Sequence, residues 1–548
     1  MATVFKNGRF FVPSASDNGQ DFVESMIIED GKISYIGPLD ETATPKDATV
    51  IDLQNRTVIP GFIDAHIHIL QYGLSVRKAN LTECTSLEQI RETIKSYAEA
   101  HPSIPRILCR GWIQNSTNGV ALASMLDGID PRPIFVDAFD LHSVWCSSAA
   151  LDEMKAHTAP DMPGGTIHRD KNGKASGLLD EAALVNVFWP HLERVTSTAD
   201  KLDAVDAAVK AYTAAGYTGL VDMAMTEEAW EILNLYRQDH TIPFHIGAHW
   251  LVPWEADQSA NLKYVDHAIE LHKKYNEPDF CVLGIKIVCD GVVDGCTAAL
   301  MQPYTGKSDP VDPFWPDDNL QEVVQRADAA GIQCAFHAIG DQAIHQAINI
   351  LSRVGTPGAR HRIEHLELTT SEDAKRLGEL GITASIQPVH SDPILFKAWP
   401  GLVGSDRCKR AFAYKEFLEG GAPIAIGTDA PTAPHMPFPN MYNATTRRSA
   451  IETESDATVN PHFGLGLVEA ATAATTGAAY ARFAESWTGS LKKGLSADFV
   501  VVDMQWAPET LLEARVCQTW YRGKKVFDSV MNEVSPEGSE GSARYSPI

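Results

Sequence analysis

His66 and His68 stand two residues apart in the segment PGFIDAHIH, which runs from Pro60 to His68. Side chains at i and i+2 of a strand point to the same side, so both imidazoles can reach one ion. Four more groups of chemical interest sit in or just after later apolar runs. Lys286 lies in VLGIKIV, where an unpaired charge would be costly to bury, so a role is expected for it. His337 ends QCAFH, His365 ends RHRIEH, and Asp429 follows PIAIGT. A lone histidine at a strand end is most often a hydrogen-bonded structural group. The signal is the order, because these residues fall on the first, fourth, fifth, sixth and eighth of the runs described next.

Eight apolar runs of strand length can position these groups: 57–63, 219–223, 244–250, 281–288, 333–337, 360–365, 383–387 and 423–427. Helical patterns fill most of the gaps, as at 200–215, 319–330 and 341–354. Eight strands alternating with helices predict an α/β fold, a (β/α)8 barrel of the TIM type, with its active site at the C-terminal ends of the strands. An open doubly wound sheet is the alternative, but no GxGxxG follows a first strand. Outside the barrel, VESMIIEDGKISYIG folds as a hairpin around Asp30-Gly31, and a second hairpin is expected around Gly523. The two ends then form one small β-sandwich. The expected organisation is a composite sandwich of 1–56 and 480–534, a barrel of 57–80 and 196–479, an inserted subdomain of 81–195 after strand one that covers the active site, and a disordered tail of 535–548.

Composition narrows the function. The chain has 548 residues, 44% apolar and 21% charged, so it can bury a large core without a staple. Its formal charge of −25 argues against nucleic acid and anionic membranes as partners, since both need a cationic face. No signal-peptide or membrane-length apolar run is visible. The nine cysteines are odd in number and contain no CxxC pair, which reads as reduced thiols in a cytoplasmic protein. A homo-oligomer stays open.

The segments PGFIDAHIH, LHSVWCSSAAL, GIKIVCDG, FHAIGDQAI, RIEH, SIQP, IGTDAP and GSLKKGLSADFVVVD together resemble the amidohydrolase superfamily, within it the amidohydrolase-3 or YtcJ-like branch. The resemblance covers nearly the whole chain. It implies a binuclear barrel with metal ligands at His66, His68, Lys286, His337, His365 and Asp429. It also implies carboxylation of Lys286 by carbon dioxide, which gives a carbamate able to bridge two cations. The ligand types suit one or two Zn²⁺, or Mn²⁺, Fe²⁺ or Co²⁺. A metal-bound water becomes a hydroxide nucleophile near neutral pH. Asp429 is the expected proton shuttle. The expected activity is hydrolysis of an amide or related non-peptide C–N bond in a small molecule. Deamination or ester hydrolysis on the same scaffold and a catalytically silent binding scaffold are the alternatives.

Other residues of matching segments are candidate substrate or supporting groups. Asp290 is expected to orient Lys286 or substrate, and His142 to reach over the metals. Trp112 and Glu181 are candidate substrate contacts in the insertion. Asp341 is expected as a helix N-cap or as a partner of a ligand, and Gln387 and His390 as pocket lining. Ser147 stands where the family often has Asn. Arg362 and Glu364 are expected to form a structural ion pair on the face opposite His365.

Overall fold

A computed structural model describes residues 2–13, 22–38, 45, 47–138, 143–160, 165–181 and 183–532. The expected tail 535–548 and His142 lie outside the described residues. The chain forms two compact units, one built from the residues up to His68 and those from Val209 onward, the other from Ile69–Ala208.

In the first unit eight parallel strands run side by side: β1 (Phe62–Ile67), β2 (Tyr217–Met225), β3 (His245–Val252), β4 (Phe280–Val288), β5 (Gln333–Ala338), β6 (Arg362–His365), β7 (Thr383–Ile386) and β8 (Ile424–Ile426). Each strand pairs with its sequence neighbour, and an isolated parallel bridge between Ile67 and Ala430 brings the chain beyond β8 back onto β1. The eight-stranded barrel expected from sequence is therefore present and nearly closed. Gly427 makes the closing approach possible: a Cβ there would lie 2.5 Å from the backbone nitrogen of His66. The outer helices start on polar caps. Thr226 accepts from the N–H of Ala229, Asp257 from Ser259, and Thr370 from Asp373.

One boundary differs from the sequence reading. The run 57–63 is two strands rather than one. Thr57–Pro60 pairs with Arg9–Phe11 and Phe499–Asp503 in a terminal sheet, and β1 begins only at Phe62. Pro60 has no N–H with which to continue a ladder. Gly61 then packs against the Thr218 side chain, which would lie 2.1 Å from any Cβ at that position. The chain thus leaves one sheet and enters the other at Pro60-Gly61.

The terminal segments form two sheets, one of four strands and one of six. They share a core in which Phe5, Phe499 and Trp520 meet with ring centroids 5.1–5.5 Å apart. Both hairpins turn on two left-handed residues, Asp30 (φ 50°) with Gly31 (φ 77°) and Arg522 (φ 49°) with Gly523 (φ 69°). Two consecutive positive φ values match the right-handed twist of the flanking strands.

The second unit has its own six-stranded sheet, ordered Gly165–Arg169, Ala175–Glu181, Ser143–Cys146, Ile134–Ala138, Ile107–Trp112, Ala79–Asn80. Helix Leu87–Ala100 contributes Ile90, Ile94 and Ala98 to a core that also holds Trp112 and Trp145. All nine cysteines are free thiols. No helix among the described residues is long and apolar enough to cross a membrane.

Candidate functional site

His66 sits in β1 and His68 just beyond it, at the C-terminal end of the barrel. The return of the chain after β8 brings Asp429 to them. The Asp429 N–H donates to the His66 carbonyl at 2.7 Å, and the His68 N–H to the Ala430 carbonyl at 3.0 Å. Asp429 adopts a left-handed backbone, φ 58°. Its Oδ1 lies 3.3 Å from His66 Nε2 and 3.1 Å from His68 Nε2. The three residues each offer one ligand atom within 4.8 Å of the others. Burial would raise the Asp429 carboxyl, but the His66 charge and hydrogen bonds from both imidazoles hold it well below the usual carboxylate range.

Asp64 ties the two strands together. It is buried and accepts hydrogen bonds from the N–H groups of His66 (3.1 Å) and Thr428 (2.9 Å), and from the hydroxyls of Thr428 (2.6 Å) and Tyr212 (3.1 Å). Burial raises its carboxyl to about 6 even so.

His337 and His365 come from β5 and β6. In the sheet register His337 pairs with Glu364, and His365 pairs with Ala338. Strict alternation would turn His365 away from His337. Instead His365 and Leu366 take left-handed backbones, φ 74° and 55°, and the His365 ring comes to 4.3 Å from that of His337. Positive φ in bulky non-glycine residues is uncommon and clusters at functional sites. Burial and the Lys286 charge lower His337 to about 3, and burial with the neighbouring His337 keeps His365 well below its ordinary value. Both rings therefore carry free lone pairs.

Lys286 on β4 is buried, and its Nζ has no hydrogen-bond partner among the described residues. Burial lowers it to about 8, against an opposite pull from Glu364 and Asp429. Two imidazoles with a carboxylate, two further neutral imidazoles, and an amine unpartnered among the described residues form a donor set that fits divalent cations. An amine lowered to about 8 reaches its free form more readily than an ordinary lysine, which also fits carbamate formation.

The Arg362–Glu364 ion pair is present at 2.5 Å with both side chains fully buried. It is not purely structural, as the sequence reading has it on the face opposite His365. Glu364 Oε2 also lies 2.8 Å from His66 Nδ1, and the Gln387 amide lies 3.2 Å from the same nitrogen. With Nδ1 turned to Glu364, Nε2 is the nitrogen that faces Asp429 and the one that would take a metal, the usual arrangement behind a metal-binding imidazole.

Asp290 is fully buried and accepts from the N–H groups of Ala299 (2.9 Å), Ile339 (3.1 Å) and Gly340 (2.8 Å). It staples the loop after β4 to the loop after β5, and burial raises it to about 7. Asp341 is not an N-cap, because Gly340 holds that position and Asp341 is the first helical residue of Asp341–Val354. Its carboxylate accepts from the Met301 N–H at 2.8 Å. His390 follows β7 in a short 3-10 turn, Pro388–Ser391, with Nε2 3.7 Å from Asp429 Oδ2. Its Nδ1 lies 3.3 Å from Glu367, a residue sequence reasoning missed. The spacing His365-x-Glu367 was the available signal for it.

Residues 49–527 match the amidohydrolase family. The chain belongs to that family. This amidohydrolase is 29% identical over 523 residues to the YtcJ protein of Bacillus subtilis (strain 168), covering 92% of this chain and 94% of that protein. It is 26% identical over 547 residues to the N-substituted formamide deformylase of Arthrobacter pascens, covering 91% and 94%. An uncharacterized metal-dependent hydrolase from Pyrococcus horikoshii shares its fold, with a TM-score of 0.75 at 21% identity over 93% of this chain and 99% of that one. Family membership makes the protein a hydrolase. In its second unit, Trp112 packs in that unit's core against Trp145, with ring centroids 5.2 Å apart. Ser147 caps helix Ser148–Glu153, accepting from the Ala150 N–H. Glu181 closes strand Ala175–Glu181, its backbone paired with Gly165.

Proposed function

We propose that this amidohydrolase is a metal-dependent enzyme that hydrolyses an amide or related non-peptide C–N bond of a small molecule. The observation that carries the reading is the convergence of His66 Nε2, His68 Nε2 and Asp429 Oδ1 at the C-terminal end of the barrel. His66, His68 and Asp429 would hold one divalent cation, most simply Zn²⁺. His337, His365 and Lys286, once carboxylated, are donors for a second. Bound there, the metal supplies Lewis acidity for the carbonyl and lowers the pKa of water.

The chain's own residues supply the rest. Asp429 is ionised across the neutral range, so it takes the proton of the attacking water and returns it to the leaving nitrogen. Glu364 fixes the His66 tautomer, and Arg362 keeps Glu364 charged inside the barrel. Asp64 and the backbone bonds between Asp429 and His66 hold the shuttle in register with the imidazoles. The relative from Arthrobacter makes N-substituted formamides the first substrates to try.

The test is elemental analysis of purified protein, followed by hydrolysis assays on N-formyl, N-acyl, carbamate and cyclic amides. One to two transition-metal equivalents are expected, with activity lost on chelation and regained on adding metal. Active protein free of metal would refute the reading.

A further inference from the structure

We infer that His365, Glu367 and His390 form a cation subsite beside the His66–His68–Asp429 centre, one that shares His365 with the Lys286 set but does not need Lys286 to hold its ion. The inference rests on the metal-dependent reading above and assigns ligands beyond the six that the family resemblance implies.

The geometry comes first. His365, Glu367 and His390 each offer one ligand atom, and these atoms lie within 4.8 Å of one another. Two imidazoles and one carboxylate are a common set for Zn²⁺, Fe²⁺ and Mn²⁺. The three side chains arrive from different elements. His365 turns inward at the end of β6 on its left-handed backbone, Glu367 follows two residues later, and His390 comes from the turn after β7. The His365 and His390 rings are nearly parallel, 7° apart with centroids at 5.7 Å. The Glu367–His390 separation of 3.3 Å is long for a charge-assisted hydrogen bond, which normally closes to about 2.7–2.9 Å.

Charge gives the second argument. Glu367 is 6% exposed, and the His390 ring stands between it and a second carboxylate, 3.3 Å from Glu367 and 3.7 Å from Asp429. Gathering negative charge in a water-poor site is costly unless a cation compensates it. His365 is 3% exposed, and its Nδ1 has no hydrogen-bond partner among the described residues. A divalent ion at this position meets both demands, neutralising the carboxylates and giving the imidazole an acceptor for its lone pair. His365 also contacts His337, so the subsite adjoins the main centre and shares one residue with the ligand set that includes Lys286.

The experiment uses full-length Lys286→Met protein, which removes any carbamate. It is stripped with a chelator, reloaded with Co²⁺ or Zn²⁺, and counted by mass spectrometry of the metal, with the Co²⁺ visible spectrum as a second readout. Two equivalents are expected. Adding Glu367→Gln or His390→Gln lowers the count to one and leaves the spectrum of the ion at His66–His68–Asp429. Circular dichroism confirms folding, and the two substitutions give independent answers should one of them unfold the protein. A single equivalent in Lys286→Met, or two equivalents surviving both added substitutions, overturns the subsite. In the second case a protonated His390 balances the charge. Wild-type protein that binds no metal overturns the broader reading instead.

Discussion

Glu364 lies 2.8 Å from Nδ1 of His66, while its other oxygen lies 2.5 Å from Nε of Arg362. A fully buried carboxylate thus links the imidazole of β1 to a guanidinium of β6. Burial alone would raise Glu364, but the Arg362 charge and the His66 hydrogen bond keep it ionised.

Glu364→Gln keeps the volume and removes the charge. It is expected to weaken metal affinity about 10–100-fold, the usual effect of losing the carboxylate behind a ligating imidazole. Arg362 then stays buried without its counter-ion, at a cost of about 3 kcal/mol or more. Chelator competition and urea unfolding measure the two effects separately, and unchanged metal affinity in a folded variant would remove Glu364 from the site.

Asp429→Asn is expected to fold and to keep much of its metal, because the backbone bonds from this residue to β1 do not involve the side chain. Turnover should fall by about 10²-fold or more with the loss of the proton carrier. Near-normal kcat in metal-loaded variant protein would refute the shuttle role.

Lys286 offers a pH test in metal-free protein kept free of carbon dioxide. Burial lowers its pKa from 10.5 to about 8, so between these values the unfolded chain binds more protons than the folded one. Wild-type stability should therefore rise with pH across that window. Below pH 8 the buried ammonium is a liability, and Lys286→Met should be more stable than wild type by about 1–3 kcal/mol. The advantage should shrink from pH 8 to 10, as followed by Tm. A constant difference at every pH would show that the lysine is not buried as an unpartnered cation.

Gly427→Ala puts a methyl group 2.5 Å from the His66 backbone nitrogen. Backbone cannot yield as a flexible side chain can, so a loss of about 1–3 kcal/mol is expected. Because the strain falls between β8 and β1, metal affinity should fall with stability. Calorimetry and metal titration on the same preparation check the pairing.

Trp112 is 1% exposed in the core of the second unit. Trp112→Ala should cost about 3–5 kcal/mol of that unit's stability, read by hydrogen exchange of strand Ile107–Trp112. A change in relative kcat/KM across an amide panel with exchange rates intact would instead make Trp112 a substrate contact.

Much of this protein was legible in one dimension because its signals are local. Apolar runs of strand length alternating with helical patterns predict the barrel, Asp-Gly and Arg-Gly turns mark the hairpins, and the two-residue spacing of His66 and His68 places both rings on one side of a strand. The change of sheet at Pro60-Gly61 had a local signal, a Pro-Gly step inside an apolar run, but the different partners that the two halves take were not legible. The side on which His365 would lie was also hidden. Alternation turns it away from His337, and the left-handed backbone at His365 and Leu366 turns it back. Pairings such as Glu364 with His66, or Glu367 with His390, depend on barrel register. The first joins residues 298 positions apart and the second joins the ends of neighbouring strands 23 positions apart, and no local pattern encodes either.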